Sequence, residues 1–276
     1  MEYLEVRKEL SKIYKTFYND NFGEIDYVLG EILNKNYSEI HFCDISKKQF
    51  LKAKKIVLKH LKTYMPYQKI FKRAYFYGLS FYVNENVLTP RQDSEILIEQ
   101  AIKQKFNSVL DLCCGSGCLG LTIKKNRPSA LVTLADISKK AIKISKINAK
   151  NLGVSAEFVV SDMFKNIHEK FDLIVCNPPY ISISDAKKLS VEVKDFDPKI
   201  ALVGGETGDE FYRILFDNLD KFLTKNGVCL IEIGYNQGYL LDIFKEKYVD
   251  CEIFADYNGI NRVIKICRKW LKEKKC

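Results

Sequence analysis

Apolar residues recur every three or four positions through residues 1–73, which is the spacing of amphipathic helices. The positions that carry this pattern are Leu4, Leu10, Ile13, Phe17, Ile25, Val28, Leu29, Ile32, Leu33, Phe50, Leu51, Ile56, Val57, Leu58 and Leu61. The last helix of the series follows Ser46, whose hydroxyl can cap it, and its opposite face is rich in lysine. The pattern predicts a small helical N-terminal domain over residues 1–73.

Residues 74–92 follow a different pattern, in which aromatic and β-branched side chains are frequent. Turn-forming residues interrupt this stretch at Gly78 and again at Asn84-Glu85-Asn86. Short strands joined by a turn are expected, so residues 74–92 are predicted to form a β-hairpin linker.

From Ser108 onwards, short apolar runs alternate with amphipathic segments. Strands are predicted at Ser108–Leu112, Leu131–Ala135, Glu157–Val160, Asp172–Cys176, Gly227–Ile233, Cys251–Ala255 and Arg262–Cys267, and helices at 93–103, 117–126, 138–151, 209–223 and 237–247. Such alternation is typical of an α/β fold with a parallel, doubly wound sheet. Only a turn at Tyr257-Asn258-Gly259 separates the last two strands, so they should pair antiparallel. A seven-stranded, Rossmann-like domain is predicted over residues 93–276.

The formal net charge of +9 over 276 residues favours an acidic partner, but a lysine-rich solvated surface explains it equally well. The first residues are acidic and lack the apolar core of a signal peptide. No apolar run reaches membrane-spanning length. We therefore expect a cytoplasmic protein that does not associate with membranes.

The nine cysteines fit a reducing compartment. Their number is odd, and Cys176 and Cys229 lie inside apolar runs, as small buried side chains do. Cys113, Cys114 and Cys118 are close in sequence, but no histidine and no second cysteine pair has zinc-ligand spacing. No metal site is expected.

A glycine loop follows the first predicted strand of the α/β domain. Asp111 lies in that strand, and Gly115 and Gly117 lie between it and the next helix. Glycines let a backbone approach a ligand closely, and a helix N-terminus offers free N–H groups. The loop alone does not identify the ligand, because a tight strand-to-helix turn has the same composition.

Acidic residues at the ends of the next two strands favour a nucleoside ligand. Asp136 lies about 20 residues past the loop, where a carboxylate can accept hydrogen bonds from both ribose hydroxyls. Asp162 can accept from an adenine amino group, and Met163 can offer its backbone N–H to the ring. The spacing of Gly115, Gly117 and Gly120 also fits a nicotinamide dinucleotide. The fourth strand decides between these cofactors.

That strand ends at Asn177-Pro178-Pro179-Tyr180. Two prolines fix the chain direction and leave carbonyl groups without local donors. The Asn177 side chain and the Pro178 carbonyl can then accept both hydrogen bonds from one planar –NH₂ group, on which Tyr180 can stack. A delocalised nitrogen is a poor nucleophile, so orienting it toward a sulfonium methyl is the main catalytic requirement. The motif predicts methyl transfer from S-adenosylmethionine to an amide-like nitrogen.

Several segments resemble the release-factor glutamine methyltransferase family over nearly the whole chain. They are Pro66 to Ile70, Val87 to Glu95, Asn177 to Ile181, Phe196 to Gly208, Glu232-Ile233-Gly234 with Gln237-Gly238, and Gly259 before Arg262-Val263. The family commonly has glycine and threonine where this chain has Cys113 and Cys114, and a side chain at 113 requires a φ that non-glycine residues tolerate.

The resemblance implies a class I methyltransferase fold and methylation of the glutamine in the Gly-Gly-Gln motif of peptide chain release factors. It also implies that the N-terminal domain helps to recognise the release factor and that nucleic acid is not required. The implied catalytic residues are Asn177, Pro178 and Tyr180, joined in substrate binding by Pro179 and Arg91. The implied S-adenosylmethionine site comprises Asp111, Gly115, Gly117, Asp136, Asp162, Met163 and Asn177.

Two alternatives remain open at this point. An amino-methyltransferase acting on an exocyclic base amine of RNA or DNA shares the Asn177–Tyr180 motif, and a basic chain suits a phosphate backbone. A DNA enzyme needs an additional target-recognition region, whereas an RNA enzyme does not. The 196–208 segment favours the glutamine enzymes. A non-catalytic module that only binds S-adenosylmethionine is disfavoured, because Asn177 and Tyr180 are intact.

Overall fold

The computed structural model describes residues 1–17, 23–248 and 250–268. The chain divides into two compact units, Met1–Arg73 and Ala74–Cys276. Over the described residues, no helix is long and apolar enough to cross a membrane.

The described residues of the first unit form five helices. They are α1 (Tyr3–Lys15), α2 (Gly23–Leu33), α3 (Tyr37–Ile40), α4 (Lys47–Thr63) and α5 (Tyr67–Phe71). Ser46 caps α4 as predicted, because its side chain accepts from the Gln49 backbone while the Gln49 side chain accepts from the Ser46 backbone. The unit has its own apolar core, so it buries its helical faces internally.

The buried face of α1 differs from the predicted one. Leu4 is 71% exposed, whereas Tyr3, Val6, Leu10 and Tyr14 are buried. The steps of three and four residues between these positions place them on one helix face. Both tyrosines were missed because they are amphipathic, and buried hydrogen bonds satisfy their hydroxyls, Tyr3 with Asp26 and Tyr14 with Tyr67.

The outer face of α4 is basic. Its lysines are Lys47, Lys48, Lys52, Lys54, Lys55, Lys59 and Lys62, and all are exposed. Leu51, predicted to face the core, is 54% exposed on this same face. One helical repeat explains this, because Leu51 follows Lys47 by four residues and precedes Lys55 by four.

The second unit contains a two-stranded sheet and a seven-stranded sheet. In the small sheet, β1 (Arg73–Phe76) begins at the last residue of the first unit and pairs with β2 (Leu79–Tyr82). Tyr77 and Gly78 both have positive φ, of 49° and 72°, as a tight two-residue turn requires. The predicted turn at Gly78 is confirmed.

The large sheet has the strand order β5-β4-β3-β6-β7-β9-β8. Its strands are β3 (Ser108–Leu112), β4 (Leu131–Asp136), β5 (Glu157–Val160), β6 (Phe171–Cys176), β7 (Leu223–Glu232), β8 (Asp250–Ala255) and β9 (Asn261–Cys267). The helices of this unit are α6 (Glu95–Ile102), α7 (Cys118–Asn126), α8 (Lys139–Leu152), α9 (Ile183–Ala186), α10 (Val191–Phe196), α11 (Glu210–Phe222) and α12 (Leu240–Lys245), with single 3₁₀ turns at Gln92–Ser94 and Lys199–Ala201. Apolar clusters cover both faces of the sheet.

The predicted α/β sheet is confirmed with two corrections. β9 is antiparallel to both neighbours and lies between β7 and β8, so the sheet is mixed at that end. β7 begins at Leu223 and not at Gly227, because Leu223 already pairs with Phe171 before an irregularity in the register. The predicted antiparallel pairing of the last two strands is confirmed.

The chain order of the strands reverses between β3 and β6. From β3 the sheet continues through β4 to β5 on one side, and through β6 to β7 on the other. Loops leaving the carboxyl ends of β3 and β6 therefore diverge and open a crevice, which is where ligands bind in such sheets. The glycine loop and Asn177 follow these two strands.

Candidate active site

The glycine loop connects β3 to α7 through three residues with left-handed backbones. Cys113, Gly115 and Gly117 have φ values of 61°, 53° and 80°. A Cβ on Gly117 would lie 2.8 Å from Leu134 Cδ2, whereas one on Gly115 would meet nothing within 4 Å. Gly117 thus lets the loop pack on the sheet, and Gly115 leaves space above it. Cys113 carries a side chain in a conformation that glycine adopts more readily.

Asp111 supports the loop from behind. It is fully buried in β3, and its Oδ2 accepts a 2.8 Å hydrogen bond from the Gly120 backbone in α7. Its Oδ1 has no hydrogen-bond partner among the described residues. Burial raises the pKa of this carboxyl to about 7, although the bond from Gly120 opposes the shift.

Asp136 faces the loop from the end of β4. Its Oδ2 accepts from the Gly115 backbone at 2.9 Å, and its Oδ1 accepts from the Ser138 backbone at 2.8 Å. Burial raises the pKa of Asp136, and these two bonds oppose the shift. Each carboxylate oxygen can accept a further hydrogen bond, so the group remains able to bind a pair of hydroxyls.

The loop after β5 brings Asp162 and Met163 to the same crevice. Asp162 forms an ion pair with Lys165, and its side chain is partly exposed. Met163 has a φ of 47°, and its sulfur lies 3.7 Å from the Cys113 sulfur. Cys113 and Met163, which both have left-handed backbones, thus contact each other through their sulfur atoms.

An open cavity lies above these loops. Its lining residues include Leu88, Gly115, Asp136, Ile137, Asp162, Met163, Asn177 and Pro179. Carboxylate acceptors among apolar walls suit a nucleoside. The residues present therefore fit the adenosine part of S-adenosylmethionine.

The other predicted site residues do not line this cavity in the described part of the chain. Asp111 and Gly117 are behind the loop, and Tyr180 lines a second cavity with Ser182, Tyr235 and Arg262. Pro178 is buried beside Asn177. Within the described residues, no three His, Cys, Asp or Glu side chains are arranged to hold a metal ion.

Asn177 and Tyr180 are held by neighbours to which the sequence assigned no role in the site. Asn177 Nδ2 donates to Ser94 Oγ at 3.4 Å. The Tyr180 hydroxyl donates to Glu232 Oε1 at 3.5 Å, at the end of β7. Burial of the Tyr180 ring raises the pKa of its hydroxyl, so Tyr180 is neutral. The segment from Asn177 to Tyr180 is thus anchored to two other parts of the unit.

The segment around Gly204 and Gly208 packs directly on this motif. A Cβ on Gly204 would collide with the Pro179 carbonyl oxygen, and one on Gly208 with the Tyr180 carbonyl oxygen. The buried Gln237 side chain donates to the carbonyl oxygens of Tyr180 at 3.3 Å and Gly208 at 3.2 Å. The two glycines therefore allow the 196–208 segment to pack against the motif, since larger residues would push the motif away.

Arg91 is bound to the same segment. Its Nη2 donates to Asp197 Oδ2 at 2.9 Å, and Asp197 Oδ1 also accepts from the backbone and the hydroxyl of Thr89. Asp197 is buried, whereas the Arg91 side chain is 46% exposed. The predicted contact of Arg91 with substrate stays a prediction.

Comparison with known proteins identifies the family. Residues 90–193 match the family model described as Methyltransferase small domain. The chain is 33% identical over 266 residues to the release factor glutamine methyltransferase of Streptococcus pneumoniae (strain R6), covering 94% of this chain and 91% of that protein. It is 37% identical over 204 residues to the enzyme of that name from Chlamydia trachomatis serovar D, covering 71% and 70%.

The chain belongs to the release factor glutamine methyltransferase family. The resemblance inferred from sequence segments is therefore confirmed, and the chain is a methyltransferase of this family. A solved structure, a methyltransferase from Pyrococcus furiosus, matches with a TM-score of 0.53 at 14% identity, covering 70% of this chain and 90% of that one. At this identity the match concerns the fold alone, and it confirms the α/β methyltransferase architecture.

Proposed function

We propose that the protein transfers a methyl group from S-adenosylmethionine to the side-chain amide nitrogen of the glutamine in the Gly-Gly-Gln motif of peptide chain release factors. The observation that carries this proposal is that Asn177 and Pro179 line one cavity with Asp136 and Met163. Two residues of the amide-binding motif and the nucleoside-binding wall therefore share one space, in a chain of the family named for this reaction.

The loops after β3, β4 and β5 would hold the cofactor. Asp136 would accept hydrogen bonds from the ribose hydroxyls, Asp162 would accept from the adenine amino group, and Gly115 leaves room for close approach. Asp111 and Gly117 would not contact the cofactor and instead hold the glycine loop in its conformation. Asp111 accepts from the Gly120 backbone, and Gly117 packs against Leu134. When bound, S-adenosylmethionine would supply an electrophilic methyl group, whose bond to the sulfonium sulfur breaks as S-adenosylhomocysteine is released.

The substrate amide is held by acceptors at the end of β6. Asn177 Oδ1 and the Pro178 carbonyl each accept one N–H, and Tyr180 packs against the amide plane, with Pro179 and Arg91 beside it. Such orientation contributes up to roughly 7–11 kcal/mol at its upper limit, and acceptors aimed at the nitrogen stabilise the positive charge that develops there. The methylated nitrogen is strongly acidic, so the site needs no strong base.

The test uses purified protein, S-adenosylmethionine labelled in its methyl group, and a purified release factor. Label should enter the release factor and should be absent when the glutamine of the Gly-Gly-Gln motif is replaced by alanine. Transfer RNA and ribosomal RNA serve as competing acceptors. Label that persists without that glutamine, or that prefers RNA, would replace this proposal with the nucleic-acid alternative.

We also propose that this reaction takes place in the cytoplasm, where release factors act. The described cysteines form no disulfide with one another, which fits a reducing compartment. Localisation of the tagged full chain by fluorescence microscopy tests this directly, and a membrane or extracellular signal would contradict it.

A further inference from the structure

The ends of β6 and β7 place Glu232 beside the amide-binding motif. The two strands are parallel neighbours, and Cys176 pairs with Ile231 in their register. Asn177 and Glu232 are the next residues along each strand, so both emerge at the same edge of the sheet. Glu232 is only 2% exposed, although it carries a carboxyl group.

The Glu232 carboxyl has few close hydrogen-bond partners for a buried acid. Its Oε1 accepts a long bond from the Tyr180 hydroxyl, and its Oε2 has no hydrogen-bond partner among the described residues. Burial raises its pKa to about 7. Hydrogen bonding by Ser94 and Asn177 and the positive charge of Arg262 oppose this shift. An incompletely satisfied buried acid is costly, so its presence beside the motif calls for a functional reason.

Ser94 contacts Asn177 and lies near Glu232. Ser94 is 3% exposed, and its hydroxyl oxygen accepts from Asn177 Nδ2 at 3.4 Å. A hydroxyl has one proton and two lone pairs. When the Ser94 proton is directed at the neighbouring Glu232 carboxyl, its lone pairs remain for the Asn177 nitrogen.

This arrangement decides which end of the Asn177 amide meets the substrate. An asparagine side chain can turn over and exchange its nitrogen with its oxygen. Methyl transfer requires the oxygen outward, because only an acceptor can bind a substrate N–H. We propose that Ser94 and Glu232 are positioning residues that retain the Asn177 nitrogen and so present its oxygen to the substrate amide.

Glu232 acts on Tyr180 in the same way. Its Oε1 accepts from the Tyr180 hydroxyl, which fixes the ring that packs on the substrate amide. One buried carboxyl therefore orders both the acceptor and the aromatic plane. This inference rests on the proposed function, since it assigns roles relative to a glutamine amide.

A double-mutant cycle tests whether Ser94 acts through Asn177. Single-turnover methylation of the release factor is measured for wild type, Ser94→Ala, Asn177→Ala and the double variant. We expect Ser94→Ala to slow methyl transfer at least tenfold in wild type but less than twofold in the Asn177→Ala background. Equal effects in both backgrounds would overturn the inference.

A second comparison tests Glu232 with variants of similar size. Glu232→Gln keeps an acceptor for Ser94 or Tyr180, whereas Glu232→Leu removes it. We expect Glu232→Leu to lower kcat at least tenfold more than Glu232→Gln, with the affinity of both for S-adenosylmethionine within about twofold of wild type by calorimetry. Equal kcat values for the two variants, or a parallel loss of cofactor affinity, would assign Glu232 a structural role.

Ser108→Ala is the matched control for loss of a serine hydroxyl. Ser108 accepts from the Asp172 backbone at 3.0 Å, at the opposite end of β3, so its loss should leave kcat unchanged. Failure of the inference is distinguishable from failure of the proposed function. The first gives an active wild type and an equally active Ser94→Ala variant, and the second gives a wild type that does not label the release factor.

Discussion

Arg91 Nη2 donates a 2.9 Å hydrogen bond to Asp197 Oδ2, across 106 residues of sequence. Asp197 also accepts from the backbone and the hydroxyl of Thr89, so it joins the segment before α6 to the segment after α10. Leu88 and Pro198, which flank this junction, both line the cavity. The ion pair therefore closes one wall of the candidate active site.

We expect Asp197→Ala to be more destabilising than Arg91→Ala. Asp197→Ala removes three hydrogen bonds from a buried group and should cost roughly 3 kcal/mol of unfolding free energy. Arg91→Ala should cost about 1 kcal/mol, since its guanidinium is half exposed and Thr89 still donates twice to Asp197 Oδ1. Urea unfolding followed by circular dichroism measures both, and equal losses would contradict this ranking.

Asn177 and Asp136 should separate catalysis from cofactor binding. Asn177→Ala should lower kcat roughly 100-fold and leave the Kd for S-adenosylmethionine within about twofold, because it removes an acceptor used in the transition state. Asp136→Ala should raise that Kd at least tenfold. Calorimetric titration and single-turnover assays give the two quantities. If Asn177→Ala weakened cofactor binding as much as it slowed transfer, its proposed role would be wrong.

Alanine substitution should destabilise the protein to different extents at the two loop glycines, Gly115 and Gly117. Gly115→Ala should cost about 1–2 kcal/mol, which is the strain of a left-handed alanine with open space around it. Gly117→Ala should cost roughly 2–4 kcal/mol, because its Cβ would also press on Leu134. Unfolding free energies without cofactor test the order, and a Gly115 variant that is the less stable of the two would refute it.

Asp111 should make stability depend on pH. Its pKa is about 7 when folded and near 4 when unfolded, so between these values the folded state binds more protons. The contribution of Asp111 to the free energy of unfolding is fully present below pH 4. It is lost as the pH rises to 7, by up to about 1.4 kcal/mol per pH unit. Glu232 acts in the same direction.

Asp111→Asn isolates this effect, because asparagine keeps an acceptor for the Gly120 backbone but does not titrate. Relative to wild type, the variant should become progressively more stable between pH 5 and pH 7 in urea unfolding. A difference that stays constant across this range would mean that Asp111 does not titrate within it.

The sequence predicted the parts of the fold that depend on local pattern. The buried runs from Ser108 to Leu112 and from Phe171 to Cys176 are strands, and their ends carry the glycine loop and Asn177. The position of β9 between β7 and β8 was not predictable, because periodicity reports which residues form a strand and not which strand lies beside it.

The site was predicted where a motif is contiguous and missed where it is assembled from distant segments. Ser94 and Asn177 are 83 residues apart, and Gln237 reaches the Tyr180 carbonyl across 57 residues. Neither partner has a local pattern that distinguishes it from a surface polar residue. The family resemblance covered Ser94, Gln237 and the glycines of Phe196–Gly208, which press on the motif, but it did not indicate what each residue contacts.

The insertion of β9 between β7 and β8 has a consequence for synthesis. Ribosomes deliver a chain from its N-terminus, so β7 emerges with one edge unpaired and acquires its neighbour only after Cys267 has been made. Glu232 pairs with Val263 at that edge. The nascent polypeptide can thus form the glycine loop early, but the β7 side of the amide-binding motif is completed last.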